Sequence, residues 1–434
     1  MISNEELIKW VTEVRQRSMD LISDLDEDKL TVPYLDIINP WIWEFCHQAY
    51  FQELWVLRKG AGQEQLIPRA DSLFDSIKVG HETRWKLKLP NKEEAFEYVQ
   101  KVRDRVVELI NSGKLNEKLR YYIIYSVFHE DMHTEAFTYT RQTLGYPAPK
   151  FSHLSSITLP EVNDDISTEE DIKIPGGKFM LGAPKNSDFV FDNEQWEHEV
   201  SVEEFKISRT AVTEGQFAKF VDDNGYKEKK YWSSEGWKWL NAVQAEHPLY
   251  WRKENGVWQK RHFDKWILIE ENRAIIHISW YEADAYCRWA KRRLPMELEW
   301  EVAAASESDG NKLNNKKRIM PWGDDIANID QANLGWQAMG AVDVRAHERG
   351  DSAFGCRQMI GNVWEWTSTT FKPYPGFVAD MYKDYSQTSF YTRKVLKGGC
   401  WATQPRLIRN TWRNFYTPDR REVFVGFRTC VLKP

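Results

Sequence analysis

His129 and His133 stand four residues apart in the string His129-Glu130-Asp131-Met132-His133-Thr134-Glu135, inside an apolar-periodic stretch, Tyr121–Gln142. On a helix that spacing sets the two rings about 40° apart around the axis and roughly 6 Å apart along it. Two imidazoles placed so can grip one metal ion from the same side. Glu135 extends the motif to HxxxHxE and is a candidate carboxylate for orienting a ligand ring. His47 lies on another predicted helix among Trp41, Trp43, Phe45, Phe51 and Trp55, and a polar ring amid so many aromatics needs a partner. Packing of neighbouring helices in a bundle can bring it to the pair. The predicted ligand set is therefore His47, His129 and His133. Three neutral imidazoles leave other coordination positions open and suit iron(II), zinc or nickel. The same string matches HExxH, the zinc-protease signature. In that class the third ligand usually follows the motif, whereas His47 precedes it, so the protease reading is set aside.

The elements that must position these rings are helical. Residues Glu5–Ser23 repeat Leu7, Trp10, Val11, Val14, Met19 and Leu21 at helical spacing. Trp41–Arg58 is bracketed by Pro40 and Gly60, a helix start and stop. Lys92–Asn111 and Leu115–Leu144 complete four long helices, which with one long connection, Ala61–Pro90, suggest an up-down bundle. Beyond Gly145 the texture changes. Residues 147–171 are rich in proline and acidic side chains. Then short alternating runs dominate: Lys173–Leu181, Glu199–Ile207, Ile275–Ile278 and Val395–Gly399. Helical patterns shrink to Thr213–Asp222, Tyr281–Arg292 and Glu297–Ser306. The expected organisation is a helical bundle over 1–146, a linker over 147–171 and an irregular α+β domain over 172–434.

The chain has 434 residues, 42% of them hydrophobic, enough for sizeable cores. A net charge of -6 with scattered basic residues disfavours nucleic-acid partners. No apolar run reaches the ~18 residues of a membrane span. The start MISNEELIKW lacks the basic-then-apolar order of a secretory signal. The five cysteines form no CxxC pair, which fits a reducing cytoplasm rather than a disulfide scaffold. The oligomeric state is not legible.

Longer motifs carry a family resemblance. The stretch from Pro40 to Trp55 and the His129–Glu135 string resemble DinB-type domains. The second half resembles the formylglycine-generating-enzyme fold, an irregular α+β domain of C-type-lectin-like character. Its markers run in order: Ile174–Gly182, Arg293–Glu301, Pro321-Trp322-Gly323, Gly361–Thr367, Lys397–Trp401 and Gly426-Phe427-Arg428. That pairing resembles the ergothioneine-type sulfoxide synthases. The resemblance implies an iron(II) enzyme with its active site in the crevice between the two domains. It would use O2 to join a thiol sulfur to an imidazole carbon of a histidine derivative and oxidise the sulfur to a sulfoxide.

The resemblance also implies site residues. The string Met381-Tyr382-Lys383-Asp384-Tyr385-Ser386 is similar to the family's active-site loop, with Tyr382 as proton donor and Tyr385 positioning the imidazole substrate. A phenol suits that task, being a hydrogen-bond donor at neutral pH. Trp412, Asn414 and Phe415 match the loop that holds the substrate's amino-acid end, where a trimethylammonium is best met by aromatic faces and oxygen dipoles. Arg84 matches an arginine for the thiol substrate's carboxylate. Two positions depart from members that use the glutathione precursor: Met132 replaces a glutamine that contacts the imidazole, and Tyr416 replaces an acidic residue for the thiol substrate's amino group. Cysteine, γ-glutamylcysteine, a selenium donor and methylated or unmethylated histidine all stay open as substrates. So does a DinB-type metal-dependent thiol transferase. Sulfatase activation is disfavoured, because only Cys400 stands where the formylglycine-generating enzymes need a cysteine pair.

Overall fold

A computed structural model describes residues 2–152, 160, 162, 166–309 and 312–433. Of the expected linker, residues 153–159, 161 and 163–165 lie outside the described residues. The chain divides into two compact units, 1–155 and 156–434.

The first unit is built on α1 (Asn4–Ser23), α3 (Trp41–Gln52), α5 (Lys92–Asn111) and α6 (Glu117–Leu144), with short helices α2 (Glu27–Leu30) and α4 (Ala70–Phe74) in the connections. The start and stop signals act as expected. The Asn91 side chain accepts from the Glu94 amide and Glu94 returns the bond, and Gly145 ends α6 in the left-handed conformation. On α5 the buried set Ala95, Val99, Val102, Val106 and Ile110 repeats every three or four residues. Burying each Val or Ile of this set contributes roughly 1.5–3 kcal/mol, so Val102→Asp would break the bundle. α1 and α3 each pack on both α5 and α6, so the order around the bundle is α1, α5, α3, α6. α1 thus lies across the bundle from α3, and α5 from α6, while α3 and α5 are neighbours, so the long helices do not simply pack in sequence order.

The connection 61–90 is not featureless. α3 runs on as a π-helix over Glu53–Gly60, α4 follows, and a 3-10 turn spans His81–Lys86. The π-helix seats Glu53 in the core, where its carboxylate accepts from Tyr98 Oη at 2.7 Å and from the Leu66 amide at 3.0 Å. The register change is thereby tied to the loop that returns over it.

The second unit holds five small sheets and four helices among the described residues. Strands β1 (Asp171–Ile174), β4 (Phe205–Ser208), β15 (Cys430–Val431) and β8 (Arg292–Arg293) form one sheet. The hairpin β2–β3 (Gly177–Leu181, His198–Val202) and the pair β9–β10 (Ser306–Asp309, Lys312–Lys317) are separate. A meander, β5 (Trp251–Glu254), β6 (Val257–His262) and β7 (Lys265–Leu268), follows helices α7 (Glu214–Asp222) and α8 (Ser234–Val243). α9 (Trp280–Trp289) and α10 (Glu297–Ala305) come next. The last sheet orders β13 (Asn414–Tyr416), β12 (Lys394–Lys397), β11 (Trp364–Thr370) and β14 (Val425–Gly426). Two expectations are corrected. Ile275–Ile278 forms no strand, its Ile275 amide bonding instead to Val212 O at 3.0 Å. The meander and α8 were not expected from the sequence.

The ordered motifs of the second half make its core. Trp364, Trp366 and Trp300 are buried. Glu365 on β11 accepts from Trp300 Nε1 at 2.7 Å and holds Arg428 in a two-pronged pair at 2.7 and 2.8 Å. Glu301 on α10 receives Lys397 at 3.1 Å and Lys317 at 2.7 Å. Gly398 separates these motifs at φ +96°, where a Cβ would meet Met359 O at 2.5 Å; only glycine fits there. In this sheet β11 and β12 are joined by residues 371–393, which carry Tyr382 and Tyr385, and β13 is an edge strand, registered Val395 to Phe415 and Leu396 to Asn414.

Candidate metal centre and substrate loops

In the first unit His47 comes from α3 and His129 and His133 from α6, and one ligand atom of each lies within 4.8 Å of the others. Ring centroids are 5.2 Å apart for His47 with either partner and 4.6 Å for His129 with His133. His47 stacks on Trp43 (centroids 4.9 Å, 9° between planes) and His129 on Phe51 (3.8 Å, 10°). His47 Nδ1 lies 2.7 Å from Phe74 O, at the end of α4. His133 Nδ1 lies 2.7 Å from Glu44 Oε1. A carbonyl and a carboxylate accept, so both Nδ1 atoms carry the proton and both Nε2 lone pairs are left to bind a metal.

Burial, then the neighbouring His133, drives the His47 imidazole down to about 3, against the opposing pull of the Phe74 carbonyl. Burial and the other two rings hold His129 well below its ordinary value. Neutral imidazole at physiological pH is the form that ligates a metal. The donor set, the neutrality of His47 and His129 and the two oriented rings fit a divalent transition ion with open positions.

The residues between the ligands have a different task. Glu130 is fully engaged by Arg15 on α1, at 2.9 and 2.8 Å, and by Ser18 Oγ at 2.7 Å. Asp131 pairs with Arg17 at 3.1 Å. Ser18 also reaches Gln48 at 2.9 Å. This buried network fixes the rotation of α3 and α6 about their axes and so aims the three rings. It also removes Glu130 from the general-base role of a zinc protease.

Glu44, one turn before His47, is the carboxylate on His133, in the part that the sequence suggested for Glu135. Both Glu44 and the Phe74 carbonyl were missed. The i, i+3 spacing of Glu44 and His47 is the signal that could have found the first; a backbone carbonyl leaves no signal. Arg84, in the 3-10 turn, lies with its guanidinium 3.8 Å over Trp43, the ring that stacks on His47. Its Nη1 donates to Asn39 Oδ1 at 2.6 Å. The structure thus places Arg84 one aromatic ring from His47. Met132 is half-buried on α6 beside His133.

In the second unit the sequence-predicted substrate residues fall on the β11–β12 connection and on the segment Trp412–Tyr416, which leads into and forms β13. Tyr382 and Tyr385 sit on the β11–β12 connection, where the Tyr385 amide bonds to Tyr382 O at 3.0 Å. The connection is closed at its base by Phe371 N to Arg393 O and Tyr391 N to Phe371 O, both 2.8 Å. Trp412 is buried, edge-on to Trp364 at 4.9 Å. Phe415 stacks on Phe371 at 4.1 Å and meets Tyr385 at 5.5 Å. Phe191 joins the group, 5.0 Å from Tyr385 and 6.2 Å from Trp412. The structure therefore brings Tyr385, Trp412 and Phe415 into one aromatic cluster, with Asn414 half-buried on the edge strand. Tyr416 is taken up by Arg420, whose guanidinium lies 5.2 Å over its ring.

Residues 11–138 match the DinB superfamily, and residues 157–433 match the Sulfatase-modifying factor enzyme 1-like domain. The chain is 33% identical over 433 residues to the hercynine oxygenase of Mycobacterium tuberculosis and 31% identical over 437 residues to that of Mycolicibacterium smegmatis, covering 99% of each chain in both pairs. The chain belongs to the hercynine oxygenase family of sulfoxide synthases.

Membership makes the protein an oxidoreductase and accounts for the joining of a helical unit to an irregular α+β one. The second unit is also 29% identical to the formylglycine-generating enzyme of Thermomonospora curvata, over 61% of this chain and 93% of that one. At the position where the sequence reading looks for a cysteine pair, Cys400 is buried and its Sγ accepts from Thr403 Oγ1 at 3.5 Å. Among the described residues no helix is long and apolar enough to cross a membrane.

Proposed function

We propose that the protein is an iron(II)- and O2-dependent sulfoxide synthase. It joins the sulfur of a small thiol, cysteine or γ-glutamylcysteine, to the imidazole of histidine or Nα-trimethylhistidine. The reaction balances as thiol, imidazole C–H and O2 giving sulfoxide and water: an S–H and a C–H bond are lost, a C–S and an S–O bond form, and O2 takes up four electrons.

The observation that carries this reading is the convergence of three imidazoles, two buried and one half-buried, with ligand atoms within 4.8 Å of one another and two with Nδ1 held by Phe74 O and Glu44. His47, His129 and His133 would hold iron(II) through Nε2, and the metal would supply the one-electron chemistry that lets O2 react with a closed-shell thiol. Arg84, already oriented by Asn39 and Trp43, receives the thiol substrate's carboxylate in bidentate fashion. Trp412, Asn414 and Phe415 receive the amino-acid end of the imidazole substrate. Aromatic faces and an amide oxygen suit a cation that cannot donate a hydrogen bond. Tyr385 packs against Phe415 and orients the ring. Tyr382 donates the proton that turnover requires. Tyr416, in place of an acidic residue for the amino group, points to a thiol held differently at that end, and Met132, in place of a glutamine, leaves the imidazole without that hydrogen bond.

Anaerobic reconstitution tests the reading. Protein loaded with iron(II) receives cysteine or γ-glutamylcysteine with histidine or its trimethylated form, and O2 is then admitted. Sulfoxide that requires thiol, imidazole and O2 together supports it. Conjugation without O2 would transfer the protein to the thiol transferases.

A further inference from the structure

The turn Phe191–Glu194 is absent from the roles assigned so far, yet its three polar side chains are all fully buried. Asp192 grips both ends of the segment that carries the two tyrosines. Its Oδ1 accepts from Ser386 Oγ, and its Oδ2 accepts from the Asp380 amide at 3.5 Å. Asp380 Oδ1 in turn accepts from the Tyr382 amide at 2.9 Å, so the carboxylate is one residue removed from the tyrosine backbone. Asn193 Nδ2 donates to the same Ser386 Oγ at 3.0 Å.

The turn also holds the second loop. Glu194 Oε2 accepts from Arg409 Nε at 2.8 Å and Thr411 Oγ1 at 2.7 Å, and Asn193 O accepts from Arg413 Nη1 at 2.7 Å. Phe191 packs between Tyr385 and Trp412. One short turn therefore fastens both the tyrosine loop and the strand that presents Asn414 and Phe415. A buried carboxylate that accepts from two points of a loop fixes it far more tightly than exposed turn bonds would, because each lost bond leaves a charged oxygen without a donor.

We infer that Asp192 is a positioning residue, which sets the placement of Tyr382 through Ser386 and Asp380 and thereby decides how turnover divides between sulfoxide and simple thiol oxidation. The inference rests on the reading of Tyr382 as proton donor. Both outcomes balance: sulfoxide as above, and sulfinate by addition of both oxygen atoms of O2 to the thiol.

Asp192→Asn retains shape but cannot accept at both oxygens; Ser386→Ala removes one link and leaves the carboxylate. With iron(II)-loaded full-length protein, cysteine and Nα-trimethylhistidine, the ratio of sulfoxide to sulfinate should fall about tenfold in Asp192→Asn, the effect of one hydrogen bond to a charged group. Ser386→Ala should move the ratio in the same direction, which serves if Asp192→Asn fails to fold. Combining Asp192→Asn with Tyr382→Phe should add nothing to Tyr382→Phe alone. In the metal-free protein, hydrogen exchange at the Asp380 and Tyr382 amides should accelerate in Asp192→Asn while exchange in α1, α3, α5 and α6 stays unchanged. A lower rate at an unchanged product ratio would overturn the inference and leave Tyr382 in place, provided Tyr382→Phe shifts the ratio. If Tyr382→Phe also leaves the ratio unchanged, the tyrosine assignment falls and the Asp192 role falls with it.

Discussion

The carboxylate of Glu44, on α3, accepts from the imidazole of His133, on α6, at 2.7 Å. Glu44 shares its helix with one ligand and orients another, so the two helices meet twice at the same centre. That relationship, rather than the HxxxH spacing alone, fixes which nitrogen of His133 faces a metal.

Glu44→Ala should lower iron(II) affinity by about 10–100-fold, the usual effect of removing a group that orients a ligand. Glu44→Gln, which still offers an acceptor, should fall between it and the parent. Titration against a chelator of known affinity measures this. Equal affinities across the series would show that Glu44 has no part in aiming the ring.

Tyr382→Phe removes the phenol proton and keeps the ring. Bound iron should be unchanged by elemental analysis, while products measured by mass shift from sulfoxide to oxidised thiol. An undiminished sulfoxide yield would take Tyr382 out of the chemistry.

Arg84→Ala should raise the KM for the thiol by roughly 10–100-fold, the cost of losing a charge-assisted hydrogen bond. Metal content should hold, because Trp43 still stacks on His47. Arg84→Lys should recover only part of the loss, since an ammonium cannot reproduce the two-pronged geometry. A KM that does not move would assign Arg84 to packing alone.

Glu301 gives a pH prediction for the second unit. Burial alone would raise its carboxyl, but Lys317 and Lys397 outweigh it and bring the group down to about 2. A folded-state value below the unfolded one means that the pair stabilises fully above about pH 4.5, and that this is lost as pH falls toward 2. Glu301→Gln should lower stability by about 3 kcal/mol at neutral pH. Thermal unfolding followed across pH should show the gap between parent and variant closing below pH 4.5. A gap constant down to pH 2 would contradict the assignment.

The sequence made the three clustered histidines and their helices legible for clear reasons. Helical periodicity shows which side chains share a face, and Asn91, Pro40 and Gly145 mark the ends. Its signal for Glu44, the i, i+3 spacing to His47, is weak because an acidic residue on a helix is ordinarily a solvated one. The hairpin of β5 and β6 was overlooked although Asn255-Gly256, both at positive φ, is the pair that such a turn demands. The alternation around it is broken by charged residues on an exposed sheet. Phe191–Glu194 was unreadable for another cause: its partners lie some two hundred positions downstream, and no local pattern encodes bonds of that span.

The carbonyl that seats His47 and the guanidinium poised over Trp43 come from one stretch of chain, 61–90. With Arg84 and His47 in the roles proposed for them, a change in this stretch that admits a different thiol also moves the carbonyl that seats His47. On those roles, thiol preference and metal affinity share one segment and change together.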